Sequence, residues 1–115
     1  LIITTSSMAG KRYSQRAGIA YGASKHAVMA VNELLNLEES NHGIRACAIC
    51  PAEVNTAILD RRPVPVPAAD RARLIQPEDI AETVLFVARL DSRVCINEIL
   101  VTPTHKRVAQ PGEPG

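Results

Sequence analysis

The chain is nearly devoid of aromatic side chains, with no tryptophan, one phenylalanine and two tyrosines in 115 residues. Nucleic-acid binders rely on stacking aromatics and clustered basic surface, and a formal net charge of +1 supplies neither that cluster nor a pull toward anionic membranes. No apolar run approaches the ~20 residues of a membrane-spanning helix. The amino end lacks the charged, apolar and small-residue layout of a signal peptide. Cysteine is scarce and odd in number, at positions 47, 50 and 95, which argues for a reducing compartment, read here as the cytoplasm. Cys47 and Cys50 fall three apart in a strand expected over 44–50, so they point to opposite faces. With no second such pair and no histidine pair nearby, no metal site is expected. All three thiols are expected to be buried and structural, Cys95 within its own strand. His26, His42 and His105 are scattered singly and form no ligand set.

What is present is the composition of an ordinary globular domain, 46% hydrophobic and 22% charged. Within it, Tyr21 and Lys25 stand four apart. Helical neighbours at i and i+4 share a face with Cβ atoms about 5–6 Å apart. An ammonium at that range favours the charged form of a phenol, which suits a general acid–base. The spacing by itself is equally that of an exposed pair on a solvated helix.

The surroundings sharpen it. Leu1-Ile2-Ile3-Thr4-Thr5-Ser6-Ser7 is a β-branched apolar run that delivers two hydroxyls to the end of a buried strand. A helix is expected over 20–41, from Ala23, Ala27, Val28, Ala30, Val31, Leu34, Leu35 and Leu37 at helical spacing, with Gly43 as its stop. Ile44 to Cys50 reads as a second apolar strand, followed by Pro51 and, further on, Thr56. Residues 57–76, interrupted by Pro63, Pro65 and Pro67, read as a mobile flap containing a short helix near 68–74. Pro77 to Leu90 reads as an amphipathic helix with Pro77 at its start and acids Glu78 and Asp79 in its first turn. Its buried side is expected to hold Ile80, Val84, Leu85, Val87 and Ala88. Cys95 to Val101 reads as the last strand. Residues 1–104 are thus one α/β unit, and 105–115 are expected to be a loose tail.

The runs Thr5-Ser6-Ser7-Met8-Ala9-Gly10, Tyr21-Gly22-Ala23-Ser24-Lys25, Pro51-Ala52-Glu53-Val54-Asn55-Thr56, Gln76-Pro77-Glu78-Asp79-Ile80-Ala81 and Asn97-Glu98-Ile99-Leu100-Val101, in this order, resemble the classical short-chain dehydrogenases/reductases. The likeness extends from residue 1 to about 104. It implies the carboxyl-terminal part of a Rossmann-type, doubly wound parallel sheet, built strand-helix-strand-helix-strand. It further implies an oxidoreductase that moves hydride between NAD or NADP and a small carbonyl compound or secondary alcohol. By the resemblance Ser7 polarises the substrate oxygen, with Ser6 its structural neighbour, Tyr21 exchanges the proton, and Lys25 tunes Tyr21 and holds the nicotinamide ribose. Tyr21, Lys25, Pro51, Ala52, Val54 and Thr56 are the implied cofactor-binding residues. Glu53 and Asn55 flank that motif in turn-forming roles. Helix 20–41 is the implied two-fold interface of a homo-oligomer.

The sequence departs from the family pattern in three places. Ser7 and Tyr21 are one residue further apart than is commonest in the family. Alanine occupies position 52, where the family has glycine, a residue that permits φ > 0. No Gly-x-Gly-x-x-Gly occurs among the six glycines, so the phosphate-binding turn of such folds is expected before residue 1. The nucleotide-binding half is therefore read as missing, and the isolated piece as inactive. The alternative from another class is an inactive fragment or a non-catalytic scaffold or sensor, since a sheet edge left by the missing half invites association.

Overall fold

In the computed structural model, which describes residues 1–113, strand β2 (Ala46–Pro51) is buried along all six residues. It has a neighbour on each edge and a helix on each face, which its unbroken apolar character anticipates. Strand β1 (Ile2–Thr5) pairs with it in parallel, Ile2 opposite Ala46 and Thr5 opposite Ile49. Strand β3 (Glu98–Val101) pairs in parallel on the other side, Ala48 opposite Glu98 and Pro51 opposite Val101. The order β1-β2-β3 brings the carboxyl ends of β1 and β2 side by side, the end of an α/β sheet where ligands bind. This is the doubly wound α/β arrangement expected from the motif order.

Helix α1 (Gly18–Glu39) crosses between β1 and β2, and α3 (Pro77–Arg89) covers the opposite face before β3. A single helical turn, α2 (Ala68–Arg71), lies between them in the chain. Gly43 ends the α1 region in the left-handed conformation, φ +73°, a geometry glycine adopts without a Cβ penalty. On α3 the Gln76 N–H donates to Asp79 Oδ2 at 2.8 Å, one half of a capping box. Ile80, Val84 and Val87 of α3 pack on Cys47 and Ile49 together with Ile3, Ile96, Ile99 and Val101. Leu85 and Ala88, expected on that buried side, are exposed, because the contact stripe is narrower than the run of apolar residues.

Helix α1 meets the sheet differently from its leucine pattern. Leu34 and Leu37 stay exposed, and the helix's one fully buried residue is Asn32. The cause is backbone polarity. Arg45 and Ile49 direct their carbonyls toward β1, accepting from the Ile2 and Ser6 N–H groups, so Ala46 turns its own N–H and C=O toward the β3 side. Strand β3 pairs only from Ala48 onward. The Asn36 amide fills the gap: it donates to Ala46 O at 2.8 Å and accepts from Ala46 N at 2.7 Å. Asn32 donates to Asn97 O at 2.8 Å, fixing the entry to β3. Buried backbone groups must be paired, and here a helix side chain stands in for a missing strand residue.

Cys47 and Cys50 are buried on opposite faces, Cys47 in the α3 core and Cys50 against Met29 of α1. Burial pushes both thiols up from their ordinary pKa. Cys95 lies just before β3, which starts three residues later than expected, and is exposed. Among the described residues no helix is long and apolar enough to cross a membrane.

Replacing Asn36 with alanine strands both polar groups of Ala46 and should cost about 2–4 kcal/mol in denaturant unfolding. Asn41→Ala, an exposed control, should stay within about 0.5 kcal/mol of the parent.

Candidate active site

The two serines at the end of β1 separate into different jobs because successive residues of an extended chain point to opposite sides. Ser6 turns inward, 3% exposed, and its hydroxyl donates to the Lys25 carbonyl at 3.0 Å. Ser7 caps the 3-10 turn Met8–Gly10, its Oγ accepting from Ala9 N at 3.1 Å. A hydroxyl has one proton and two lone pairs, so that contact leaves the Ser7 proton to donate elsewhere.

Gly10 is where the turn and α1 come closest. A Cβ there would stand 2.5 Å from Ser6 Oγ and 2.6 Å from the Lys25 carbonyl oxygen, so only glycine fits.

Lys25 is held from both ends. Its carbonyl takes the Ser6 hydroxyl, and its ammonium donates to Thr5 O at 3.3 Å. The same Nζ stands 5.6 Å from the centre of the Tyr21 ring, within the range of a cation–π contact. Tyr21 is 42% exposed, at the open side of the site. One Thr5 contact leaves two of three ammonium protons for other acceptors.

Across the sheet end, Pro51 is buried and the Ala52 N–H donates to Val101 O at 2.8 Å. No non-glycine residue has positive φ among the described residues, so Ala52 sits in its turn without backbone strain. Val54 bridges to Ile75, and Asn55 N–H donates to Ile75 O at 2.8 Å. Thr56 begins the 3-10 segment Ala57–Arg61.

The flap, residues 57–76, is anchored. Leu59, Val66 and Leu74 form a small core of their own. Arg71 donates to Asn55 Oδ1 at 2.8 Å, to Asp60 Oδ1 at 2.6 Å and to the Thr56 carbonyl at 3.2 Å. Asn55 also donates to Gln76 Oε1 at 3.0 Å.

Glu53, expected in a turn-forming role, is instead the centre of an ion-pair cluster whose main partner, Arg107, the sequence did not single out. Glu53 accepts from Arg107 at 2.9 and 3.2 Å, from Arg16 at 3.4 Å and from Arg62. Arg107 comes from the segment expected to be loose, yet its side chain is 4% exposed and also grips Glu113 at 2.8 Å. The hydrogen bond from Arg107, against the opposing effect of burial and with help from Arg62, holds the Glu53 carboxyl at about 2. The only sequence signal was an acid inside a cofactor-side motif with arginines elsewhere. The last residues of that tail, Pro114 and Gly115, lie outside the described residues.

A family model described as short chain dehydrogenase matches residues 1–64. The chain belongs to the short-chain dehydrogenase/reductase family. The matched stretch contains Ser7, Tyr21, Lys25 and the Pro51–Thr56 turn. Dehydrogenase/reductase SDR family member 11 of Bos taurus is 34% identical over 113 residues, 91% of this chain and 44% of that protein. Farnesol dehydrogenase of Aedes aegypti is 37% identical over 89 residues, 76% of this chain and 35% of that protein. Among solved structures, the closed form of a serine dehydrogenase complexed with NADP+ superposes with a TM-score of 0.75 at 23% identity, over 95% of this chain and 46% of its own. That last likeness is one of fold. The chain spans less than half the length of these relatives.

Gly10→Ala should cost about 1–3 kcal/mol through overpacking, read as a lower denaturant midpoint, whereas the same change at Gly22, where a Cβ meets nothing within 4 Å, should not lower it. For Glu53 the folded carboxyl lies at about 2 against an ordinary 4.5. A depressed pKa contributes stability that is present above the unfolded value and lost as pH falls through the folded one. Acid unfolding should therefore show a loss between pH 4.5 and about 2 that Glu53→Gln removes.

Proposed function

We propose that the protein carrying this chain is a nicotinamide-dependent oxidoreductase that interconverts a small carbonyl compound and the corresponding secondary alcohol. The observation that carries this reading is the placement of the Lys25 ammonium between the Thr5 carbonyl and the Tyr21 ring, at the strand end that also presents Ser7, in a chain of this family.

In the direction of reduction, the Ser7 proton engages the substrate oxygen, aimed by the bond that Ala9 N–H makes to the same hydroxyl. Tyr21 gives its phenolic proton to that oxygen as the alcohol forms. Lys25 places a positive charge beside the ring on which negative charge then develops. In oxidation the proton runs back to Tyr21. The remaining protons of Lys25 would hold ribose hydroxyls, and Pro51, Ala52, Val54 and Thr56 would line the nicotinamide side, Thr56 offering a hydroxyl to its carboxamide. NAD or NADP, when bound, supplies or accepts the hydride. The exposed side of α1, with Val31, Leu34 and Leu37, is read as the contact surface of a homo-oligomer. Two relatives, one solved as an NADP+ complex and one a farnesol dehydrogenase, support a nicotinamide cofactor and an alcohol or carbonyl substrate.

Tyr21→Phe in the intact protein removes the exchangeable proton and little else. Turnover should fall by at least about 10²-fold, the contribution of a general acid–base, while titration still detects nicotinamide nucleotide binding. Retention of most activity in that variant would overturn the assignment and favour a non-catalytic scaffold.

A further inference from the structure

One carboxylate gathers guanidiniums from three separate segments around the site. Glu53, in the turn after β2, meets Arg16 from the loop before α1, Arg62 from the flap and Arg107 from the tail. Arg107 is the most enclosed of the three arginines, with a side chain 4% exposed against 31% and 27% for Arg16 and Arg62. It is also backed by Glu113, which accepts from Arg107 Nη1 at 2.8 Å and from Gln110 N at 2.6 Å. Arg107 engages Glu53 through both Nε and Nη2, at 3.2 and 2.9 Å.

We propose that Arg107 is a positioning residue: through Glu53 it clasps the Pro51–Thr56 turn, the loop before α1 and the flap into one wall of the site. The functional consequence rests on the oxidoreductase reading above. Glu53 sits between Ala52 and Val54, so fixing its carboxylate restricts the backbone that, on that reading, would flank the nicotinamide. A buried charge is tolerated only when paired and hydrogen-bonded. Without the Arg107 guanidinium, Glu53 keeps Arg62 and Arg16 but loses its two-point contact to the tail, and the turn is held from fewer sides. The flap keeps its own core and its Arg71 ties to Asn55 and Thr56, so the disturbance is confined to the turn. Lysine keeps the charge but not the two-point fork, and therefore restores the clasp in part.

The test uses the intact protein with Arg107→Gln, Arg107→Lys and, as a control on the exposed neighbour, Lys106→Gln. Steady-state kinetics and amide hydrogen exchange at residues 52–56 are read together. Arg107→Gln should raise KM for the nicotinamide nucleotide about tenfold with kcat within about twofold, the scale on which a small remote misplacement acts, and should speed exchange in the turn. Arg107→Lys should fall between, and Lys106→Gln should match the parent. Unchanged KM and unchanged exchange in Arg107→Gln would overturn the proposal, as would a loss of protection spread evenly over the whole sheet. If Arg107→Gln does not fold, Glu53→Gln, which keeps the acceptor and removes the charge, is read by the same criteria. A parent protein that binds and turns over no nicotinamide nucleotide refutes the oxidoreductase reading alone, and exchange in the turn then decides the clasp.

Discussion

The hydrogen bond from the Ser6 hydroxyl to the Lys25 carbonyl sets how closely the end of β1 approaches the second turn of α1. Gly10 makes that approach possible, since no larger residue could sit against both partners. From this contact the rest of the site follows. With the Lys25 backbone held, its ammonium reaches Thr5 O. Tyr21, one helical turn earlier, is carried to the same end of the sheet. Ser7, forced to the opposite side from Ser6, is left with a donor facing outward. Two adjacent identical residues thus acquire unlike surroundings, one hydroxyl buried against α1 and the other capping a 3-10 turn, through the alternation of extended backbone alone.

The second constraint is the way β2 satisfies its backbone. Its odd-numbered carbonyls serve β1, and its first even-numbered groups precede the start of β3, so Asn36 completes the ladder from α1. This ties α1 to the strand whose far end carries the Pro51–Thr56 turn. The helix is consequently fixed at two points, near Lys25 by a serine and near Asn36 by an amide. Its outer apolar residues remain uncovered.

Much of this order was legible from the residues. Apolar periodicity located α1, observed at Gly18–Glu39 against an expected 20–41, and α3 at Pro77–Arg89. Unbroken apolar character marked a strand over 44–50, observed at Ala46–Pro51, and the hydroxyl, tyrosine, lysine and proline motifs fall where the strand ends converge. Less legible were features decided by hydrogen bonding rather than hydrophobicity. Asn32 and Asn36 look like solvent-facing helix residues, yet a backbone gap on β2 draws them inward. Cys95 looked like a strand residue, but pairing begins only at Glu98. Glu53 and Arg107 lie 54 positions apart, and no local pattern joins an acid in a turn to an arginine in a proline-rich tail. Long-range ion pairs have no period, so only the folded chain brings them together. The same contacts tie the tail and the flap to the turn between them.

The central claim is that Ser7, Tyr21 and Lys25 serve a hydride transfer between a nicotinamide and a carbonyl carbon. It is tested most directly by supplying the intact protein with reduced nicotinamide cofactor deuterated at the transferring carbon, together with a panel of aldehydes and ketones, and analysing the alcohols by mass spectrometry. The account predicts a product with deuterium on the carbinol carbon, and no incorporation at that carbon when the label is supplied only as deuterated water. Alcohol formation without transfer of the cofactor's label, or cofactor binding with no carbonyl reduced across the panel, would contradict it.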